Sequence, residues 1–157
     1  MYYKKMFFCI VVLFFVAGNS FSQTSNYSGF NLAYTMGFSY NFDAESANFN
    51  YQNIDFGYNI HNHEIGISVG QNEDFWYGAY YKFHLPEQFY AGYKIGKISE
   101  RYPEDIYNEI TFGKDFLITK DFSLRTNIYF SSPSENPLFI KNADAKLGFA
   151  VGVMYAF

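Results

Sequence analysis

Cysteine, proline and tryptophan are scarce in this chain of 157 residues, which has one Cys, four Pro and one Trp. Cys9 lies inside an apolar run near the N-terminus. Without that run the chain has no thiol, which excludes a disulfide framework and a cysteine-based metal site. Beyond the run, no stretch approaches the roughly 20 apolar residues that a transmembrane helix needs.

The N-terminus has the pattern of a secretory signal peptide. Two lysines precede the apolar run at 6–17, and small residues flank Phe21 at a cleavage site that ends with Ser22. We predict a signal peptide over 1–22 and a single domain over 23–157. The alternative is a retained membrane anchor, for which the run is too short.

Basic residues are also few. The formal net charge is −4, and loss of Lys4 and Lys5 with the signal peptide takes it to −6. Phosphate contacts need Lys and Arg, so the charge argues against a nucleic-acid partner.

Aromatic residues, in contrast, are abundant. They make up 24% of the chain, with 20 Phe and 16 Tyr, yet the mean hydropathy is slightly polar at −0.16. Many aromatic residues without a helical span are typical of a transmembrane β-barrel, whose outward apolar residues alternate with polar lumen residues.

The dominant pattern has a period of two, which predicts β-strands. It is clearest at 30–42, where seven apolar residues alternate with small or polar ones. Lys114 and Asp115 disturb the sixth strand, which suggests a bulge there. The predicted strands span 30–42, 52–60, 64–70, 75–84, 88–98, 106–118, 122–131 and 144–157.

Eight strands predict an all-β fold, an eight-stranded antiparallel up-and-down transmembrane β-barrel. The connections after the second, fourth and sixth strands are short, whereas the others are mostly longer and more acidic. This alternation predicts short periplasmic turns, longer outer loops and both termini in the periplasm.

The apolar face is predicted to point outward, toward lipid. It carries Phe, Tyr, Leu and Met at nearly every position, and such a set would overfill the interior of an eight-stranded barrel. The small and polar residues of the other face suit a narrow lumen. The alternative is a soluble periplasmic or secreted barrel carrier, with the apolar face inside.

Charged residues on the lumen face are expected to pair, because a buried charge is costly without a partner. We predict an ion-pair network that plugs the lumen, and the alternative is a proton or ion path along the same groups. The predicted members are Asp55, Glu64, Lys82, Lys94, Glu109, Arg125 and Lys146.

The signal peptide, the eight alternating strands and the final LGFAVGVMYAF resemble the small OmpA/OmpX-type outer-membrane barrels of Gram-negative bacteria. Val153, Tyr155 and Phe157 are similar to the C-terminal signal that the barrel-insertion machinery recognises. The resemblance implies an outer-membrane location in the cell envelope, contact with lipid and lipopolysaccharide, and a monomer. We expect no OmpA-type peptidoglycan-binding domain.

The aromatic residues are predicted to form two girdles at the membrane interfaces, and carbohydrate stacking by Trp76 or Tyr107 is a weaker alternative. The outer girdle comprises Tyr40, Phe42, Phe75, Tyr77, Tyr129 and Phe130. The inner girdle comprises Phe30, Tyr81, Phe83, Phe89, Phe122, Tyr155 and Phe157.

Catalytic and metal sites are not predicted. His61, His63 and His84 are expected at the periplasmic rim, where a loose zinc site is the alternative to simple solvation. A lipid-modifying enzyme or an outer-membrane protease would need a histidine near the outer rim. We therefore predict a non-enzymatic envelope protein without a cofactor, in a structural, adhesive or defensive role.

Acidic residues of the outer loops are expected to be solvated, and the alternative is that they bridge divalent cations to lipopolysaccharide phosphates. These residues are Asp43, Glu45, Glu73, Asp74, Glu100, Glu104, Asp105 and Glu135.

Overall fold

The computed structural model describes residues 28–42, 44–99, 106–134 and 145–157. The predicted signal peptide lies outside these residues. Eight antiparallel strands close into a barrel in the order β1 to β8, with β1 paired to β8. The strands are β1 Gly29–Asn41, β2 Ser46–Ile60, β3 His63–Asn72, β4 Asp74–His84, β5 Phe89–Ile98, β6 Ile106–Leu117, β7 Phe122–Ser134 and β8 Lys146–Ala156.

The face assignment is confirmed. On β1, Leu32 and Tyr34 are exposed on the outside, whereas Asn31, Ala33 and Thr35 are buried in the lumen. The same alternation continues along most of the strands, so large apolar side chains cover the outer wall. An apolar wall around a polar interior is the arrangement of a membrane barrel and the reverse of a soluble carrier. Within the described residues no helix is long and apolar enough to span a membrane.

The inner mouth of the barrel is defined here as the end with the C-terminus and the turns at 61–62, 85–88 and 118–121. His61 occupies the left-handed region with φ 55° in the tight turn between β2 and β3. A short 3-10 helix, Pro86–Gln88, joins β4 to β5. The outer mouth is the opposite end.

Two strand predictions were wrong in detail. β2 begins at Ser46, six residues earlier than expected, and pairs with β3 only from Gln52 onward. Its segment 46–51 therefore projects past β3 while still pairing with β1.

The expected disturbance of β6 is absent, because β6 pairs without a register shift with both neighbours. A register shift occurs instead between β1 and β2, at Gly37 to Ser39.

Candidate functional site

Cross-strand pairing places opposite charges side by side in the lumen. Glu64 of β3 lies opposite Lys82 of β4, and Lys94 of β5 lies opposite Glu109 of β6. Both pairs face inward and are almost completely buried. Directly opposed residues on one face of a sheet are close enough to interact, so strand register alone brings these charges together.

The buried charges form one continuous chain, defined here as the charge chain, in which acidic and basic groups alternate. Its seven members are Glu109, Lys94, Asp55, Lys82, Glu64, Arg125 and Asp115. Successive nitrogen–oxygen distances along it are 3.6, 3.2, 2.9, 3.2, 3.3 and 2.8 Å. Each charge inside the chain therefore has an opposite charge on both sides, which offsets the cost of removing it from water.

Neutral donors complete the coordination of the carboxylates. Tyr80 Oη donates to Glu64 over 2.7 Å, and Ser68 Oγ donates to Asp55 over 2.5 Å. At the outer end of the charge chain, Tyr107 Oη donates to Glu109 over 2.6 Å, and Tyr51 Oη donates to the same carboxylate over 3.2 Å. These bonds satisfy carboxylate lone pairs that the ammonium and guanidinium groups leave open.

Aromatic rings fill the outer half of the lumen. Trp76 stacks on Tyr107 with ring centroids 4.1 Å apart, and Tyr51 stacks on Tyr129 at the same distance. Glycine makes room for them, since a Cβ at Gly148 would overlap the Tyr129 ring. Trp76 and Tyr107 are buried by this packing, so neither offers a surface for carbohydrate.

Tyr129 corrects the predicted outer girdle. It is 1% exposed and lies in the lumen, because it belongs to the inward-facing set of β7 together with Arg125 and Asn127. Its neighbour Phe130 belongs to the outward-facing set.

Lys146 does not join the other predicted members of the network. Its ammonium group donates to Glu73 over 2.8 Å and to the Asn72 carbonyl over 3.1 Å at the outer mouth. The structure thus brings six of the seven predicted residues into the charge chain and gives Lys146 a separate ion pair with an acidic loop residue.

Asp115 is the member that sequence reasoning missed. It lies opposite Arg125 and accepts from Nε over 2.8 Å and from Nη2 over 2.9 Å. The period-two pattern of the sequence does place Asp115 in the lumen, because it continues the inward set of Glu109, Thr111 and Gly113. Its neighbour Lys114 concealed that phase by placing a charge on the apolar face.

The three histidines have different environments. His61 lies in the tight turn between β2 and β3. His63 Nδ1 lies 2.7 Å from Tyr81 Oη on the outer wall, whereas His84 Nε2 lies 3.0 Å from Glu64 in the lumen. Among the described residues, no group of three His, Cys, Asp or Glu side chains is arranged to hold a metal ion.

The residues of the predicted C-terminal signal lie on the outer wall of β8 and just beyond it. Val153, Tyr155 and Phe157 are all exposed. The rings of Tyr155 and Phe157 meet edge to face at 5.1 Å, and the Phe157 amide donates to the Phe30 carbonyl over 2.9 Å.

Of the acidic outer-loop residues, Glu73 pairs with Lys146 and also accepts from Asn48 Nδ2 over 3.1 Å. Glu45 is exposed and Asp74 is half-buried. The remaining members lie outside the described residues: Asp43, Glu100, Glu104, Asp105 and Glu135.

Comparison with solved structures places this architecture among known barrels. The N-terminal β-barrel domain of Pseudomonas aeruginosa OprF matches with a TM-score of 0.55 and 11% identity, over 83% of this chain and 100% of that one. Neisserial surface protein A matches with a TM-score of 0.54 and 11% identity, over 82% of this chain and 96% of that one. The chain has the fold of a small transmembrane β-barrel. This architecture agrees with the OmpA/OmpX-type resemblance. No family model matches the sequence, and no curated protein matches it.

Proposed function

We propose that the chain is a monomeric, non-enzymatic barrel of the bacterial outer membrane whose lumen is closed by its own side chains. Its role is structural: it spans the membrane as a rigid support and holds its outer loops at the cell surface. Lipid and lipopolysaccharide surround its apolar wall, and the barrel-insertion machinery receives it during assembly.

The charge chain is the observation that carries this proposal. It crosses the lumen from Glu109 on β6 through Asp55 and Glu64 to Asp115, and its members are at most 3% exposed. An ion entering the lumen would have to break pairs that are already satisfied on both sides. Eight strands leave an interior that side chains fill, whereas porins need about 16 strands to leave an aqueous channel.

The stacked aromatic pairs provide a second barrier toward the outer mouth. Trp76 and Tyr129 are each 1% exposed. Because these rings pack above the charges, both solute passage and the alternative proton path meet a layer of packed aromatic rings next to Glu109.

The placement of histidine supports a non-enzymatic role. A lipid-modifying enzyme of this fold class needs a base beside its nucleophile at the depth of the substrate bond. His61, His63 and His84 all lie at the inner end of the barrel, and His84 is engaged by Glu64. The outer half of the described lumen instead holds tyrosines bonded to a carboxylate.

Conductance tests the closed lumen directly. The mature protein, reconstituted as a monomer in a planar bilayer, should show no stable, large conductance. Arg125→Ala removes the link between Glu64 and Asp115 and should raise the leak, whereas Lys120→Ala, which changes an exposed lysine of the inner turn, should not. A steady porin-like current from the wild-type monomer would refute the plugged lumen.

Fractionation tests the location separately. The protein should be recovered with outer membranes, and its gel mobility should change on boiling. Recovery in the soluble periplasm would contradict the outer-membrane assignment. The closed lumen is tested separately, by the conductance measurement.

A further inference from the structure

His84 lies at the inner mouth in contact with the charge chain. It is the last residue of β4, and its Nε2 is 3.0 Å from a carboxylate oxygen of Glu64. The His84 side chain is 23% exposed, whereas Glu64 is completely buried. His84 also lines a cavity of about 40 Å³ at this mouth, which has room for water. Protons from the solution at the inner mouth can therefore reach a ring that contacts a carboxylate inside the lumen.

The hydrogen bonds of Glu64 determine which nitrogen of His84 titrates. Its Oε1 accepts from Tyr80 Oη and Lys82 Nζ. Its Oε2 accepts from Arg125 Nη2 and contacts His84 Nε2. A carboxylate that accepts at both oxygens has no proton to donate. Nε2 therefore carries a proton whether the ring is neutral or charged, and Nδ1 is the nitrogen that gains or loses one.

The charge balance of the lumen depends on the charge of this ring. The charge chain has four carboxylates and three basic groups. Lys120 and Asp121 of the inner turn lie 3.8 Å apart and pair with each other, and Lys146 pairs with Glu73 at the outer mouth. A protonated His84 would bring the balance of the charge chain to four against four. Because an uncompensated buried charge is costly, the folded barrel gains from that proton.

Titratable and charged groups surround His84 on several elements. β1 has no charged residue, and the one charged residue of β8 lies at the outer mouth. Lys82 and Arg125 oppose a proton on the ring, but each of them already binds two carboxylates. Glu64 is the charged group that bonds the ring directly. The groups around it are Asp55 of β2, Glu64 of β3, Lys82 of β4, Tyr90 of β5, Asp115 of β6, Arg125 of β7, and His61, Glu87, Lys120 and Asp121 of the inner turns.

We propose that His84 is a pH-sensitive lock at the inner mouth of the barrel. Histidine is the side chain that ordinarily changes its charge between about pH 5 and 8. The protonated ring forms an ion pair with Glu64 and balances the charge chain. The neutral ring leaves a weaker hydrogen bond and one excess negative charge in the lumen, so the inner end of the barrel is less stable. This lock concerns stability and is independent of whether the lumen conducts.

Urea unfolding of the mature protein in micelles, at about pH 5.5 and about pH 8.5, tests the lock. A proton that the ring binds more tightly in the folded barrel favours folding at low pH, and this gain is lost as the pH rises. The measured quantity is the ratio of the folding equilibrium constants at the two pH values. In His84→Gln, whose side-chain amide still donates a hydrogen bond but takes up no proton, this ratio should be about fivefold smaller than in the wild type.

His61 provides the matched control, because it lines the same cavity but lies in the exposed turn between β2 and β3. His61→Gln should keep the wild-type ratio. Groups other than the substituted histidine titrate in all three proteins, so their contribution cancels in the comparison. An equal ratio in the wild type and His84→Gln, or a larger loss in His61→Gln than in His84→Gln, would overturn the proposal.

NMR of the histidine rings in the wild type tests the same lock without a variant. The His84 ring can be assigned through its neighbour Tyr90, since their ring centroids are 6.0 Å apart. Its Cε1–Hε1 resonance should move between about pH 5 and 8 while the backbone resonances remain those of the folded barrel. A ring whose resonance stays fixed over that range, or moves only as the barrel unfolds, would refute the lock.

Discussion

Arg125 and Asp115 face each other across β6 and β7, and two parallel hydrogen bonds of 2.8 and 2.9 Å join them. Because Arg125 also reaches Glu64 at 3.3 Å, this pair connects the innermost carboxylate to the rest of the charge chain. A bidentate guanidinium–carboxylate pair fixes geometry as well as charge.

Removal of one partner of that pair should therefore be costly. We expect Arg125→Ala to lower the free energy of unfolding by about 3–5 kcal/mol, because it leaves the buried Asp115 carboxylate without its cation and takes one of its basic partners from Glu64. The double variant Arg125→Met with Asp115→Leu should lose less, since it removes both charges. Urea unfolding in detergent micelles measures both values. A double variant as unstable as Arg125→Ala would show that the pair acts through packing rather than charge.

The lipid-facing wall should reject charge according to depth. Phe56 is exposed near the middle of β2, opposite Ile67 of β3, and Phe56→Arg should cost roughly 2–4 kcal/mol. Gln71, also outward, lies at the outer end of β3, and Gln71→Arg should cost only about 0–1 kcal/mol. Unfolding in lipid vesicles compares the two variants. Equal costs would contradict the placement of the wall in the membrane.

Strict alternation made most of the barrel predictable from sequence, and the failures have physical causes. The start of β2 was missed because, in 46–50, only Phe49 is a large apolar residue. Asp115 was missed because Lys114 lies on the apolar face. There the lysine ammonium group lies 4.4 Å from the ring centre of Phe89 and 5.6 Å from that of Phe116. Contacts with aromatic rings stabilise a lysine side chain on the outer wall. Sequence periodicity does not reveal such contacts.

The sequence also did not predict which acidic side chain pairs with which basic one. The charged residues of the lumen face were expected to form one network, yet Lys146 bonds Glu73 at the outer mouth. Which charge reaches which partner depends on strand register and on side-chain reach across the lumen. Alternation specifies the face of a residue but not its height in the barrel.

The projecting part of β2 should exchange its amide hydrogens faster than the rest of the strand. Segment 46–51 has β1 on one side, with a register shift between Asn48 and Tyr51, but lacks a β3 partner, so several of its amides lack a ladder bond. Amides without such bonds exchange through low-energy local opening. Hydrogen-exchange mass spectrometry or NMR should show fast exchange within 46–51 and slow exchange from Gln52 to Tyr58. Uniform protection would contradict the free edge.

Close packing between Gly57 and Tyr80 should appear as coupling between two substitutions. A Cβ at position 57 would collide with the Tyr80 hydroxyl, so Gly57→Ala should cost about 1–3 kcal/mol by overpacking. Tyr80→Phe removes that hydroxyl, and in its background Gly57→Ala should cost clearly less. Urea titrations of the four proteins complete a double-mutant cycle. A coupling energy near zero would show that the two residues do not meet in the lumen.

The C-terminal residues should matter for assembly more than for stability. Phe157 is 65% exposed on the outer wall, so Phe157→Ser removes little packing and should change the free energy of unfolding by less than about 1 kcal/mol. If the insertion machinery recognises this residue, the same substitution should sharply reduce the heat-modifiable protein in outer membranes. Ile118→Ser, which changes a residue that is 62% exposed at the same mouth, is the matched control and should assemble normally. Equal assembly of the two variants in cells, with equal folding into micelles, would remove Phe157 from the assembly signal.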